Sequence, residues 1–306
     1  MANSSGLNRT GVLSRVTVAA ITAALVGTTT AAVAADAPAP SHSASSATQP
    51  APRAGAFAAS AAAVTPVNSL YGVASNGNLS RYDPNGTGGL KAAVSSGSGW
   101  QYSKFITQTD NNADGHADGL WFVEGGRLAY MAYEGAPIDI GGGWGSYTKV
   151  FSASNTGGGA ADDLFARDSS GVLWHYLGYG NGKLTQRYRV GQGWNAYSQI
   201  TGKGDLTNDG KADIVARDTY GVLWLYKGTG DYKAPFAART RIGGGWNTFN
   251  NLVSVGDLNF DGIADLVARD GAGALWLYKG TGNAAAPFFS KVKIGTSGWN
   301  GFKILF

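Results

Sequence analysis

The sequence predicts an all-β protein, a five-bladed β-propeller in which the C-terminal strand completes the N-terminal blade. Three observations carry that prediction. A repeat of about 48 residues recurs five times between residues 66 and 306. Short apolar runs of strand length sit between turns rich in Gly, Asn and Asp. The two ends of the repeat array are out of phase in a complementary way.

The repeat is clearest towards the C-terminus, where residues 255–270 match 203–218 at an offset of 52. At the same offset of 52, GALWLYKGTG at 273–282 matches GVLWLYKGTG at 221–230. Weaker copies are GVLWHY at 171–176, GRLAYM at 126–131 and GNLSRY at 77–82. A second ladder, Gly-Trp, ends at Trp100, Trp144, Trp194, Trp246 and Trp299, in steps of 44, 50, 52 and 53 residues. Runs such as DIVA from Asp213 and VLWLY from Val222 are β-branched and aromatic, and read as strands buried on both faces. Four such strands per unit make a blade, whose sheet lies between two neighbours and so needs apolar side chains on both sides. The first unit opens at Leu70, the equivalent of Ile214, without the strand that should precede it. The last unit ends with Phe302 to Phe306, the equivalent of Phe249 to Val253, and this is the missing strand. Closure of that kind removes exposed sheet edges.

Composition narrows the class further. Gly supplies 47 of 306 residues, and at about 1 kcal/mol per helical position relative to Ala that density disfavours a helical bundle. A hydrophobic content of 43% excludes disorder of the whole chain. The 24 Lys and Arg against 20 Asp and Glu give +4; omitting Arg9, Arg15, Arg53 and Asp36, which precede the repeats, leaves 21 − 19 = +2. With no basic run either, nucleic acid is not an expected partner. Arg9 and Arg15, the apolar stretch Val16 to Val26 and the A-x-A pattern at Ala32 to Ala34 read as a secretory signal peptide over residues 1–35. Residues 36–65, built from Ala, Pro and Ser, read as a disordered linker, which leaves the propeller at 66–306. No later segment is apolar enough to span a bilayer, so a secreted, extracellular monomer is expected. The chain has no Cys, so its stability must come from core, topology or bound metal.

Between strands of three units sits one acidic pattern, D-x-[NT]-x-D-G-x-x-D: DNNADGHAD at 110–118, DLTNDGKAD at 205–213 and DLNFDGIAD at 257–265. Oxygen donors at positions 1, 3, 5 and 9, with a backbone carbonyl at 7, are those of a calcium loop, and Gly at position 6 permits the turn. The candidate ligands are Asp110, Asn112, Asp114, His116 and Asp118 in the first loop. In the second they are Asp205, Thr207, Asp209, Lys211 and Asp213, and in the third Asp257, Asn259, Asp261, Ile263 and Asp265. The position-7 residues His116, Lys211 and Ile263 enter through their carbonyls. About three structural calcium ions are expected. Without a cation, three carboxylates within nine residues repel one another; hard oxygen donors with no Cys or paired His exclude a zinc-type site. A fourth loop, NTGGGAADD at 155–163, has lost ligands at Gly157 and Gly159.

These units resemble the FG-GAP/VCBS repeats, the calcium-loop blades of integrin α-chain-like propellers. They resemble most the GDLNxDGxxDLxARDxxGxLWLYxGTG units of actinobacterial secreted proteins, over roughly residues 66–306. The resemblance implies a propeller fold, an extracellular location, calcium binding, and adhesion or carbohydrate recognition.

No catalyst is expected. There is no Cys nucleophile and no G-x-S-x-G elbow, and His175, where other units carry Leu225 and Leu277, reads as a tolerated strand substitution. Asp168, Asp218 and Asp270 each follow an Arg, which suggests repeated ion pairs or surface positions. Trp174, Trp224 and Trp276 in the G-x-L-W strand read as core. The Gly-Trp-Asn elements have two readings: wedges between blades, or flat platforms for a sugar ring with Asn bonding its hydroxyls. On the second reading the ligand residues are Trp144, Trp194, Asn195, Trp246, Asn247, Trp299 and Asn300. The leading expectation is a lectin-like recognition module for surface glycans or glycoproteins, with multivalent sites between blades. A protein-binding adhesion module without sugar affinity is the alternative, and a secreted polysaccharide hydrolase or lyase the third. The calcium loops give the first testable outcome. Chelation with EDTA lowers the melting temperature relative to calcium-loaded protein in calorimetry, and equal melting temperatures contradict the loop assignment.

Overall fold

The second strand of each repeat carries a continuous apolar run, as in Ile214-Val-Ala, whereas the third alternates, as in Leu223-Trp-Leu-Tyr226. Burial follows that pattern: Ile214, Val215 and Ala216 are all buried, but Leu223 and Leu225 are fully buried while Trp224 and Tyr226 are only partly covered. The expectation of two buried faces therefore holds for the second strand and fails for the third, whose Trp and Tyr side faces the rim of the neighbouring blade. The computed structural model describes residues 64–159 and 161–306. The expected signal peptide, and the linker up to residue 63, lie outside the described residues.

Among the described residues twenty strands form five four-stranded antiparallel sheets arranged as the blades of a propeller. Blade 1 runs β20 (Phe302–Leu305), β1 (Leu70–Ala74), β2 (Leu79–Tyr82) and β3 (Val94–Ser95). Blade 2 runs β4 (Ser103–Thr109), β5 (Gly119–Glu124), β6 (Arg127–Ala132) and β7 (Ile138–Gly141). Blade 3 runs β8 (Lys149–Ser152), β9 (Leu164–Arg167), β10 (Leu173–Tyr176) and β11 (Tyr188–Gly191). Blade 4 runs β12 (Tyr197–Thr201), β13 (Ile214–Asp218), β14 (Leu223–Tyr226) and β15 (Thr240–Gly243). Blade 5 runs β16 (Phe249–Gly256), β17 (Asp265–Asp270), β18 (Leu275–Tyr278) and β19 (Val292–Gly295). Among the described residues no helix is long and apolar enough to cross a membrane.

The out-of-phase ends meet as expected. Strand β20 pairs with β1 in the register Gly72↔Leu305 and Val73↔Ile304, and Tyr71 and Phe306 exchange backbone hydrogen bonds of 2.8 and 3.1 Å. Gly72 is required there, since a Cβ would lie 2.6 Å from the Phe302 ring. The Tyr71 and Phe306 rings stack at 5.3 Å and join the buried cluster that includes Ile106 and Phe122 of blade 2.

The two sequence ladders prove to be one device. At every junction the amide of the Gly-Trp tryptophan donates to the carbonyl of the ladder Gly one blade earlier. The pairs are Trp100 with Gly77, Trp144 with Gly126, Trp194 with Gly171, Trp246 with Gly221 and Trp299 with Gly273, at 2.9–3.1 Å. The Gly before each Trp is left-handed, Gly193 at φ 93° for instance, because the chain must turn sharply into a single 3-10 turn before the inner strand.

The expected Arg–Asp ion pairs are not formed. Arg167 Nη1 instead reaches into the next blade, donating to Trp194 O (2.9 Å) and Tyr197 O (2.7 Å). Arg217 does the same at Trp246 O and Phe249 O, and Arg269 at Trp299 O and Phe302 O. Blades 1 and 2 have Val73 and Val123 at this position, opposite Ile304 and Phe105. Their cation comes from the inner strand. Lys104 Nζ donates to Gly145 O and Tyr147 O at 2.9 and 2.8 Å, and Lys303 Nζ to Gln101 O at 2.5 Å. All five junctions thus carry a cation bound to backbone carbonyls of the following blade.

The Asp of each Arg-Asp pair has a different partner. Asp168, Asp218 and Asp270 accept the indole N–H of Trp174, Trp224 and Trp276 at 2.8–2.9 Å, and the amides of Val172, Val222 and Ala274 at 2.9–3.0 Å. The Trp276 indole, then the Ala274 amide, hold the Asp270 carboxyl below its usual value.

Two outcomes follow from the junctions. Replacing Arg217 by Met leaves two carbonyls without their charged donor, and destabilises the protein by roughly 3 kcal/mol in urea denaturation, whereas Lys183→Met on the surface leaves stability unchanged. A carboxyl held low stabilises the fold above its unfolded pKa and loses that contribution as pH falls through the folded value. Asp270→Asn therefore flattens the loss of melting temperature below about pH 3.8, the ordinary Asp value, and an unaltered acid limb contradicts the assignment.

Candidate calcium loops and inter-blade pockets

The acidic loops link the first and second strands of blades 2, 4 and 5 and share one construction. The position-1 carboxylate folds the loop by accepting its amides. Asp257 takes Asn259 N, Phe260 N and Gly262 N at 3.1, 2.6 and 2.7 Å. Asp110 takes Asn112 N, Ala113 N and Gly115 N at 3.1, 2.7 and 2.8 Å. Asp205 takes Thr207 N and Gly210 N at 2.9 and 2.6 Å. These bonds hold position 4 in a left-handed conformation that non-Gly residues disfavour, at φ 59° for Ala113 and Asn208 and 63° for Phe260. Position 5 accepts the amide of position 7 in each loop: Asp114 from His116, Asp209 from Lys211 and Asp261 from Ile263.

The position-9 carboxylates fasten each loop to its blade; Asp213 and Asp265 are buried, and Asp118 is half-buried. Asp213 accepts Leu206 N and Thr207 N on one oxygen and Gly228 N on the other. Asp265 likewise accepts Leu258 N and Gly280 N. Asp118 bonds Asn111 through both its amide and its side chain. Burial pushes Asp213 up to about 6 and Asp265 up to about 7; their amide donors oppose the shift and the neighbouring loop carboxylates add to it.

Among the described residues no three Asp, Glu, His or Cys side chains converge as a metal-holding group. The donor set of these loops is mixed, however, and its position-3 members carry a signal. Thr207 Oγ1 and Asn259 Oδ1 are buried and accept no hydrogen bond. A buried oxygen without a donor costs about 1–3 kcal/mol, and a hard cation is the kind of group that satisfies it. In the first loop Asn112 Oδ1 instead accepts Asp114 N at 3.1 Å, and His116 Nδ1 lies 3.0 Å from Val67 O.

The decayed loop of blade 3 is organised around built-in partners. Asp163 is fully buried, accepts Thr156 N and Gly157 N, and lies 3.1 Å from His175 Nε2. Next to it, Asp162 meets Lys203 Nζ at 2.5 Å, a lysine from the strand connection of blade 4. His175 stacks on Phe165 at 4.4 Å and has no exposed surface. It is therefore a specific partner of the loop rather than a tolerated substitution. Sequence reasoning missed this because the Lys203–Asp162 contact joins residues 41 positions apart.

The tryptophan sets are placed the other way round from the expectation for the strand set. Trp144, Trp194 and Trp246 are buried, at 6, 6 and 7% exposure, and wedge between blades; Trp299 is partly exposed. Trp174, Trp224 and Trp276 are only partly covered, each under a cation: Arg187 at 4.1 Å, Arg239 at 4.0 Å and Lys291 at 4.5 Å from the ring centroid. The Asn residues turn towards the preceding blade. Asn195 Nδ2 donates to Ser169 O and Asn300 Nδ2 to Gly271 O, and Asn247 lies over Gly221, where a Cβ would meet its Cγ at 2.8 Å.

The Gly-Trp tryptophans nonetheless line pockets. Trp194 sits with Tyr197, Tyr226, Phe236 and Arg239 around a cavity of about 350 Å³. Its counterpart 52 residues on, Trp246 with Phe249, Tyr278, Phe288 and Phe289, lines one of about 440 Å³. Trp194 packs on Tyr226 at 4.9 Å, Trp246 on Tyr278 at 4.6 Å, Trp144 on Tyr176 at 4.9 Å and Trp299 on Tyr82 at 4.5 Å. Polar groups gather at the mouth of the first pocket: Tyr197 and Tyr226 share a 2.6 Å hydroxyl contact, and Arg239 donates to Tyr197 Oη.

The comparisons with known proteins bear on the repeat. Residues 205–268, which span the second and third acidic loops, match the family described as FG-GAP-like repeat. No curated protein matches the chain. Among solved structures, Prp20p from Saccharomyces cerevisiae, which binds Gsp1p and histones, is 12% identical with a TM-score of 0.36, over 72% of this chain and 60% of that one. AofleA from Arthrobotrys oligospora is 11% identical with a TM-score of 0.39, over 76% of this chain and 73% of that one. The WD40 domain of SCAP from fission yeast is 11% identical with a TM-score of 0.35, over 78% and 58%. The chain spans about 60% of the length of the first of these. Its five four-stranded sheets make the chain a β-propeller, and residues 205–268 of it carry an FG-GAP-like repeat.

Proposed function

We propose that this chain is a secreted, calcium-stabilised propeller that recognises carbohydrate through pockets repeated between its blades. The observation that carries the reading is the recurrence of one pocket at an offset of 52 residues, built each time from a Gly-Trp tryptophan, the Tyr of the third strand and a Phe. Concave, mostly aromatic cavities of ~300–1,000 Å³ with a few polar groups at the mouth suit a small ligand. Aromatic faces cover the apolar side of a sugar ring, and Arg239 with the Tyr197 and Tyr226 hydroxyls supplies hydrogen bonds to its rim. An enzyme needs one distinctive site, whereas these pockets repeat, which suits weak sites strengthened by multivalency.

Calcium belongs to this reading as a structural ion. Asp205, Thr207 and Asp209, and Asp257, Asn259 and Asp261, would hold it, with the buried oxygens of Thr207 and Asn259 as the supporting observation. Its charge would offset crowded carboxylates at the start of β13 and β17. Export rests on the signal-peptide pattern of residues 1–35.

A glycan array probed with the mature chain in millimolar calcium tests the proposal. Specific saccharide binding is expected. Arg239→Ala with Lys291→Ala should weaken it about tenfold or more while the melting temperature stays within a few degrees. A blank array from folded, calcium-loaded protein contradicts carbohydrate recognition; capture of a defined protein ligand would then favour the adhesion reading.

A further inference from the structure

The inner strands β4, β8, β12, β16 and β20 together line a cavity of about 320 Å³ at the centre of the ring. Its wall contains Lys104, Lys149, Lys203, Lys303 and Arg269, and no Asp, Glu or His side chain. Four of these cations have been accounted for. Lys104, Lys303 and Arg269 hold carbonyls of the next blade, and Lys203 pairs with Asp162. Lys149 remains. Its ammonium has no hydrogen bond or ion pair to any described residue.

Its position makes that isolation costly. Lys149 lies directly opposite Arg167 across the β8–β9 ladder. Like charges directly opposite on paired strands repel. The equivalent pairs in blades 4 and 5 are Gln199↔Arg217 and Asn251↔Arg269, with a neutral amide facing the guanidinium, and in blades 1 and 2 the equivalents are apolar on both sides. Only blade 3 sets a second cation against its Arg. In a molecule built by repetition, this departure puts an unpaired positive charge on the wall of a cavity that no carboxylate lines. Gln199 on β12 and Asn251 on β16 add amide donors to the same wall.

We infer that the central cavity is an oxyanion site, with Lys149 as its principal ligand and the Gln199 and Asn251 amides as hydrogen-bond donors. The volume admits a single small anion such as phosphate, sulfate or the carboxylate of a monosaccharide acid. This site differs in place and chemistry from the inter-blade pockets, so it stands or falls separately from carbohydrate recognition there.

Burial, then the Arg167 charge, lowers the Lys149 ammonium to about 8. The other charged groups facing it are the cations Lys104, Lys203, Lys303, Arg167 and Arg269, so no carboxylate on the wall offsets that shift.

The test is isothermal titration of the mature chain with phosphate, sulfate and glucuronate, each against chloride at equal ionic strength. Saturable binding of at least one is expected, weakening as pH rises through about 8. Lys149→Met weakens it by about tenfold or more, and Lys149→Arg retains it without the pH dependence near 8. Saturable heats with phosphate or sulfate identify an inorganic anion, and heats with glucuronate alone identify a sugar acid. Absence of binding by all three anions to folded wild-type protein overturns the inference, as does undiminished binding by a folded Lys149→Met variant.

Discussion

A ring of sheets is only as stable as its last junction. Each blade here buries one face against its predecessor and the other against its successor, so an open ring would leave two apolar sheet faces in water. The β20–β1 pairing is therefore the constraint on which the remaining structure depends. It places Phe306 against Tyr71 and brings Phe302 over Gly72, so that the blade assembled from both chain ends offers its neighbours the same surfaces as the other four. The junction chemistry is then uniform: one Trp amide to one Gly carbonyl, and one cation to the backbone of the next blade. Backbone acceptors suit this role because they are present whatever the side chains, which lets blades diverge in sequence without losing the contact.

Much of this was legible in the sequence, and the limits have physical causes. The phase of the repeats revealed ring closure because a missing strand at Leu70 and an extra one at Phe302 are features of spacing alone. The two ladders were visible, but their mutual hydrogen bond was not, since spacing does not say which carbonyl a turn presents. Lys104 and Lys303 were unreadable as substitutes for Arg: they stand in a different strand from the residue they replace, and only the fold brings them to carbonyls of the same turn. The Trp assignment failed at Trp224 and its equivalents because β14 alternates, with Leu223 and Leu225 taking the buried face. An Arg in the following connection covers the exposed indole.

The acidic loops show how one backbone design accepts different partners for its carboxylates and oxygens. In blades 4 and 5 the position-3 oxygens Thr207 Oγ1 and Asn259 Oδ1 are left without a donor in the protein, as expected of groups kept for an external cation. In blade 3 the ligands at Gly157 and Gly159 are gone, and Lys203 with His175 meets the remaining carboxylates from within the chain. The same contrast between repeat and exception separates the two candidate binding regions. The inter-blade pockets recur because they follow from the junction itself, while the charge of Lys149 belongs to one blade and owes nothing to the repeat.

Native-state hydrogen exchange at the closing strand tests the central claim most directly. If β20 closes the ring cooperatively, the amides of Tyr71 and Phe306, each bonded to the other's carbonyl, exchange only through global unfolding. They then share the opening free energy of Val215 and Val267 in the middle of blades 4 and 5. Exchange of Tyr71 and Phe306 at a markedly lower free energy, with Val215 and Val267 still protected, would contradict it.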